Sequence, residues 1–408
     1  MFKKSLLALA VTFSSIAIAD TAPTNAELWK IIQTQQAELN ELKSKLEKTS
    51  DKVKVTEQNL TETEQKINTT AEAVDTASKS ESKTFIGGYG ELHVNQLNNK
   101  LDTGKDLKEI DFHRFVVLIG HEFSDTVHFF SELELEHTVA GEGKKGEIEL
   151  EQAYIEWDYA ANHSLRSGVF LVPVGILNET HEPDTFYGVE RNSIEKNIIP
   201  TTWWEAGVNF KGELAEGWSY DAAIHSGLNL ATGKFKVRDG RQKVSNAPAE
   251  DFAYTGRIKY NGIAGLEIAA TLQFQEDLLQ GMVASAVDAT LFETHLSYQV
   301  GSIGLRALYA QWNIDDAINA VAKGAEEQSG WYIEPSYRFN PSFGVFISYG
   351  EWDNQAAGTA DTQYGEWSVG GNYWLTDTTV FKLDLLRQES PKGKDQYHGF
   401  NLGVGYSF

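Results

Sequence analysis

Gly141-Glu-Gly-Lys-Lys-Gly146 has the glycine spacing of a dinucleotide-binding loop. That chemistry requires a helix N-terminus immediately afterwards, to meet the pyrophosphate. Glu147-Ile-Glu-Leu-Glu151 instead alternates and predicts a strand, so the glycines read as a hairpin tip. His181 stands among Glu179, Glu182 and Asp184, and imidazole with carboxylates suits a divalent cation. Solvated loop charges are the preferred reading of the same acids, and no metal or cofactor is assigned. His137, His181 and His225-Ser226 lie near acids or serines without the spacing that couples a nucleophile to a base. No catalytic residue is assigned, and the chain does not read as an enzyme.

More regular is charge at alternate positions along apolar segments. Arg114, Arg166, Lys211, Arg257, Lys259, Arg306, Arg338 and Lys382 occupy the polar parity of such segments. Acids share it: Glu91, Glu132, Glu134, Glu136, Glu156, Glu205, Glu267, Glu293, Glu334 and Asp384. A period of two places these side chains on one face of a sheet. Where that face lines water, rings of charge select ions through their local field.

The elements that carry them are strands. Leu266, Ile268, Ala270, Leu272 and Phe274 alternate with Glu267, Ala269, Thr271, Gln273 and Gln275, and Trp204 to Lys211 does the same. From Thr84 on, the pattern predicts 16 strands, centred near residues 91, 115, 132, 153, 169, 207, 223, 257, 270, 295, 308, 334, 348, 369, 384 and 402. Short turns such as Ser124-Asp125, Ala161-Asn162, Asn261-Gly262 and Asn340-Pro341 alternate with long polar loops. A water-soluble sandwich does not need that regularity; an even-stranded, antiparallel transmembrane β-barrel does. Phe85, Trp157, Trp203, Trp218, Trp312, Trp352 and Trp374 lie near strand ends and are expected in the interfacial aromatic girdles. Leu402, Val404, Tyr406 and Phe408 keep the alternation to the last residue, which a closing strand requires.

Two segments precede the barrel at 84–408. Residues 1–19 read as a signal peptide, with Lys3 and Lys4, an apolar run from Leu6 to Ile18, and Ala17-Ile18-Ala19 before Asp20. Residues 20–82 read as a helical coiled coil outside the cytoplasm. Ile32, Leu39, Leu46, Val53, Leu60, Ile67 and Val74 repeat every seven residues, and Leu28, Gln35, Leu42, Thr49, Thr56, Thr63, Thr70 and Ala77 form the second seam. That composition leaves dimer and trimer open. The chain has no cysteine, which excludes disulfides and thiolate metal sites, and a formal charge of -23, which argues against nucleic acid. Residues 1–83 hold 11 basic and 12 acidic side chains, leaving 24 and 46 beyond them, a net of -22. Acidic external loops suit a lipopolysaccharide surface bridged by divalent cations.

Phe112-His-Arg-Phe115, Ser131-Glu-Leu-Glu-Leu-Glu136, Glu151-Gln-Ala-Tyr-Ile-Glu156, Gly168-Val-Phe-Leu-Val-Pro-Val-Gly175, Glu190-Arg191 and Ile198-Ile-Pro-Thr-Thr-Trp-Trp-Glu-Ala-Gly207 resemble the phosphate-selective porin O and P family. The resemblance implies a trimeric, 16-stranded outer-membrane channel, with a periplasmic coiled coil in some members. It also implies anion selectivity from lumenal Arg and Lys, and recognition of the terminal Phe408 strand by the barrel-assembly machinery.

Residues 176–199 follow the Gly-to-Pro-to-Gly strand and carry Phe186-Tyr187, which an exposed loop rarely does. The loop is expected to fold into the pore. Its acids Glu179, Glu182 and Asp184 then form the acidic side of a constriction, with Arg114, Arg166 and Arg191 as the basic side and Lys211, Arg257, Lys259, Arg306, Arg338 and Lys382 along the wall. The chain thus reads as a porin for small hydrophilic solutes or ions. The alternatives are an anion or phosphate channel, as the resemblance implies, and a structural tether joining outer membrane to cell wall through the coiled coil.

Overall fold

A strand whose outer face is apolar and whose inner face is polar is stable only where lipid lies outside and water or polar groups inside. The computed structural model describes residues 83–408 except 142–144, 235 and 317, together with scattered helical positions between 25 and 46. The predicted signal peptide lies outside the described residues. So does the predicted coiled coil, apart from those helical positions, which include Leu39 and Leu46 of its first seam.

The period-two segments form sixteen strands. These are β1 (Thr84–Asn99), β2 (Leu107–Ser124), β3 (Val127–Glu136), β4 (Ile148–Ala160), β5 (His163–Leu171), β6 (Trp204–Ala215), β7 (Trp218–His225) and β8 (Ala253–Ile263). The second half comprises β9 (Leu266–Gln275), β10 (Asp288–Val300), β11 (Ile303–Asp315), β12 (Glu327–Asn340), β13 (Phe343–Asp353), β14 (Tyr364–Thr376), β15 (Thr379–Glu389) and β16 (Tyr397–Ser407). Each pairs antiparallel with its chain neighbours, and β1 pairs with β16 to close the barrel. In β9, Ile268, Leu272 and Phe274 are exposed on the outside, while Thr271, Gln273 and Gln275 are buried inside. The strand β4 begins two residues after Gly146, so no helix N-terminus follows the glycine-spaced hairpin.

Closure runs through the chain end. Tyr89 to Asn99 lie opposite Ser407 to Tyr397, and Gly88 and Phe408 exchange backbone hydrogen bonds of 2.9 and 2.8 Å. The Phe408 ring stacks on Phe115 at 6.0 Å. Gly88 permits this approach: a Cβ there meets the Val116 carbonyl at 2.2 Å and the Phe408 ring at 2.8 Å.

The barrel interior holds an apolar cluster. The loop from 172 to 203 contributes Leu177, Ile194, Ile198, Ile199 and Trp203; the next long loops add Leu228, Leu230, Leu278, Leu279 and Val321. They pack on the inward-facing Trp312, Ile314, Tyr332 and Trp352. The expected aromatic girdle therefore holds only in part. Phe85, Trp157 and Trp218 are exposed on the outer face, whereas Trp203, Trp312, Trp352 and Trp374 are buried. Parity is the reason: Trp312, Trp352 and Trp374 stand on the inward positions of β11, β13 and β14.

Gly88→Val is expected to block closure, read as loss of the fast-migrating folded band in unheated gel samples. Gly256→Ala, whose added Cβ meets nothing within 4 Å, should keep that band.

Candidate pore constriction

The segment between β5 and β6 leaves its own wall and reaches the opposite one. Its neck is clamped by Asn178, whose amide donates to the Val172 and Trp203 carbonyls at 2.8 and 2.9 Å and accepts from Trp203 N at 2.7 Å. Across the lumen, Arg306 donates to the Thr185 carbonyl at 2.7 Å, Asn372 to the Phe186 carbonyl at 3.0 Å, and Val189 N to Asp384 at 2.7 Å. The single helical turn Ile194–Asn197 returns the chain. Its buried Glu195 accepts from Ile176 N (2.9 Å), Leu177 N (2.6 Å) and the Tyr332 hydroxyl (2.7 Å). Non-helical backbone at membrane depth is tolerated where protein surrounds it, and these bonds supply the partners it needs.

The sequence-predicted residues all face the interior, but in different pairings from those expected. Arg114 is buried, paired with Glu91 at 2.6 Å, and donates to the loop's His181 carbonyl at 2.5 Å. Arg166 pairs with Glu156 at 2.5 Å, and Lys211 approaches the same carboxylate at 3.8 Å. Neither arginine meets a loop acid through its guanidinium. Glu179 instead contacts Arg257, which also holds Asp221 at 2.7 Å. Burial alone would raise the Glu179 carboxyl, but Arg257 holds it below its ordinary value. Asp184 accepts from Ser407 at 2.9 Å, while Glu182 is half-buried and its carbonyl caps Thr185. Lys259 pairs with Glu267 at 3.2 Å, Arg338 lies 4.1 Å over the Trp374 ring, and Lys382 lies 3.6 Å over the Phe186 ring. The acidic loop facing Arg114 and Arg166 is therefore corrected: strand acids neutralise those arginines from their own wall.

The opposition that does exist runs the other way. A cavity of about 130 Å³ has Arg191, Lys196, Arg238, Arg241 and Lys243 on its loop side and Glu134, Glu136, Glu149 and Glu151 on its strand side. Arg191, Arg238 and Arg241 converge on Thr201 and Thr202: Arg238 and Arg241 donate to their carbonyls, each at 2.6 Å, and Arg191 to the Thr202 hydroxyl at 2.7 Å. Such crowding leaves uncompensated positive potential. The acids Glu134, Glu149 and Glu151 are buried, Glu136 and the loop's Glu190 are half-buried, and the five bases are half-buried or exposed, so bases outnumber acids among the groups that meet water.

No family model matches the chain. An uncharacterized protein of Aquifex aeolicus (strain VF5) is 30% identical over 340 residues, covering 76% of this chain and 77% of that protein. The chain belongs to that protein's family. Among solved structures, the anion-selective porin from Comamonas acidovorans matches with TM-score 0.60 and 13% identity over 80% of this chain and 100% of that one. The trimer form of OmpT, an outer membrane protein of Vibrio cholerae, matches with TM-score 0.54 and 9% identity over 81% and 100%. At these identities the likeness is one of fold: a porin-type barrel.

Sequence reasoning missed Lys196, Arg238, Arg241, Lys243, Glu149 and Glu151. A signal existed for the bases, since Lys234 to Lys243 is a basic run within an acidic barrel. For the acids, a bulge between Leu150 and Gln152 shifts the phase of β4, turning Glu149 and Glu151 inward with Gln152 and Tyr154.

Replacing Arg238 and Arg241 by Gln is expected to lower the anion-to-cation permeability ratio about twofold for each charge, the Coulomb effect on anion and cation together of a unit charge roughly 8 Å away in water, screened over one Debye length. Reversal potentials in a salt gradient measure it. Glu195→Ala leaves three buried donors unpaired, at about 1–3 kcal/mol each, and should give larger, flickering single-channel currents as the loop loosens.

Proposed function

We propose that the chain is an outer-membrane porin that passes small hydrophilic solutes by diffusion and prefers anions. The observation that carries this reading is a closed barrel whose interior is crossed by its own loop, with water-facing bases set against buried acids. No nucleophile–base pair is needed for such a role, and none is invoked. The net charge of -22 beyond residue 83 does not oppose it, because an ion in the lumen responds to the nearest accessible charges and the Debye length is about 8 Å at physiological salt. Phosphate is the anion that the family resemblance implies, and three convergent guanidiniums offer the charged donors that phosphate takes.

In this reading residues 1–19 direct export and residues 20–82 form a coiled coil in the periplasm. The assembly is a homotrimer, as is the trimer form of Vibrio cholerae OmpT. Lipid and lipopolysaccharide surround the barrel, and Phe408 presents the closing strand to the assembly machinery.

One observation favours a second reading. The interior apolar cluster built from the long loops suits a plugged barrel that anchors a tether to the cell wall. Planar-bilayer recording of the purified protein separates the two. A porin gives stepwise currents proportional to voltage, reduced when phosphate is added; a silent membrane containing correctly folded protein supports the tether.

A further inference from the structure

Where the loop from 172 to 203 first meets the wall, His181 is buried against Glu132 of β3 and Glu151 of β4. Its Nε2 lies 3.4 Å from Glu132 Oε1 and 3.6 Å from Glu151 Oε2. Donor atoms of the three residues all lie within 4.8 Å of one another. His181 is 2% exposed, Glu132 3% and Glu151 2%. Both His181 Nε2 and Glu151 Oε2 are buried without a hydrogen-bond partner. Two buried polar atoms that lie 3.6 Å apart with no hydrogen-bond partner are costly unless something binds between them.

We propose that Glu132, Glu151 and His181 form a site for a divalent first-row transition ion, such as Zn²⁺, that clamps the inward loop to the barrel wall.

Three features make the site more than a cluster of acids. First, the spacing about His181 Nε2 fits. Metal bonds of about 2.0–2.1 Å in a tetrahedral array put neighbouring N and O ligands about 3.4 Å apart. A charge-assisted hydrogen bond from a protonated imidazole would be nearer 2.7–2.9 Å. Second, the surrounding bonds orient the ligands. His181 Nδ1 lies 3.1 Å from the Asn178 carbonyl, which fixes the proton on Nδ1 and leaves the Nε2 lone pair to the pocket. Tyr89 donates to Glu132 Oε1 and Gln152 to Glu132 Oε2, each at 2.7 Å. Third, the β4 bulge that turns Glu151 inward brings it beside Gln152 and opposite Glu132. Imidazole among two carboxylates favours a transition ion over Ca²⁺ or Mg²⁺. Three protein ligands leave a fourth position for water. Because Asn178 also holds the loop neck, an ion here joins neck and wall.

The test uses purified full-length protein, stripped with EDTA and titrated with Zn²⁺ by calorimetry and with Co²⁺ by visible absorption. The expected result is one ion per chain, with the intense bands of four-coordinate Co²⁺ and a higher temperature for loss of the folded gel band. Glu151→Gln and His181→Ala should each weaken binding about 100-fold or more. Asp111→Asn should leave it unchanged, although it disrupts the separate group of Asp111, His113 and His137. The folded gel band establishes that each variant is intact; if a variant fails to fold, the wild-type stoichiometry and Co²⁺ spectrum decide. No stoichiometric binding, as a proton on Nε2 alone would give, overturns the proposal. So does a pale six-coordinate spectrum, or binding lost in Asp111→Asn and kept in the other two.

Discussion

Everything in this structure depends on backbone hydrogen bonding in a solvent that offers none. Inside hydrocarbon each unpaired N–H or C=O costs several kcal/mol, so a spanning sheet has to have no edge. The reciprocal bonds between Gly88 and Phe408 and the β1–β16 ladder remove the last edge. Once the outer face is committed to lipid, the alternate residues of every strand are committed to the interior. The polar parity that looks wasteful on a half-exposed sheet becomes the wall of a lumen.

A lumen of this width does not fill itself with wall side chains, and the long loops do it instead. Their aliphatic and aromatic residues gather into one cluster, while their polar backbone bonds to wall side chains such as Asp384, Asn372 and Arg306. The consequence for electrostatics is asymmetric. Strand acids such as Glu134, Glu149 and Glu151 sit behind the loops, buried, and loop bases remain in contact with water. Total charge and accessible charge therefore have opposite signs at the narrow cavity, and an ion responds to the second.

The strands were legible because each obeys a local rule: period two, bounded by turn residues. Lumenal residues such as Arg257, Lys382 and Asp384 follow from the same rule and stand where parity places them. Errors arose where one residue breaks the phase or where contacts are remote in sequence. Glu151 is hidden from parity by the β4 bulge. Trp312 and Trp352 resemble girdle residues by type and by their place near strand ends, but their parity points inward. The loop has no period at all, and its partners lie as far along the chain as Asp384 and Ser407; nothing local could show that Glu179 meets Arg257 rather than Arg114 or Arg166. For residues 20–82 the heptad pattern stands as a sequence reading, since most of that segment lies outside the described residues.

In the proposed function, accessible loop bases, not the net acidity of the barrel, set ionic preference. The most direct measurement is the zero-current potential of the wild-type channel across a potassium chloride gradient in a planar bilayer. A sign that reports chloride as the more permeant ion is the predicted result. A sign that reports potassium as the more permeant ion would contradict the account and give control of selectivity to the acidic wall.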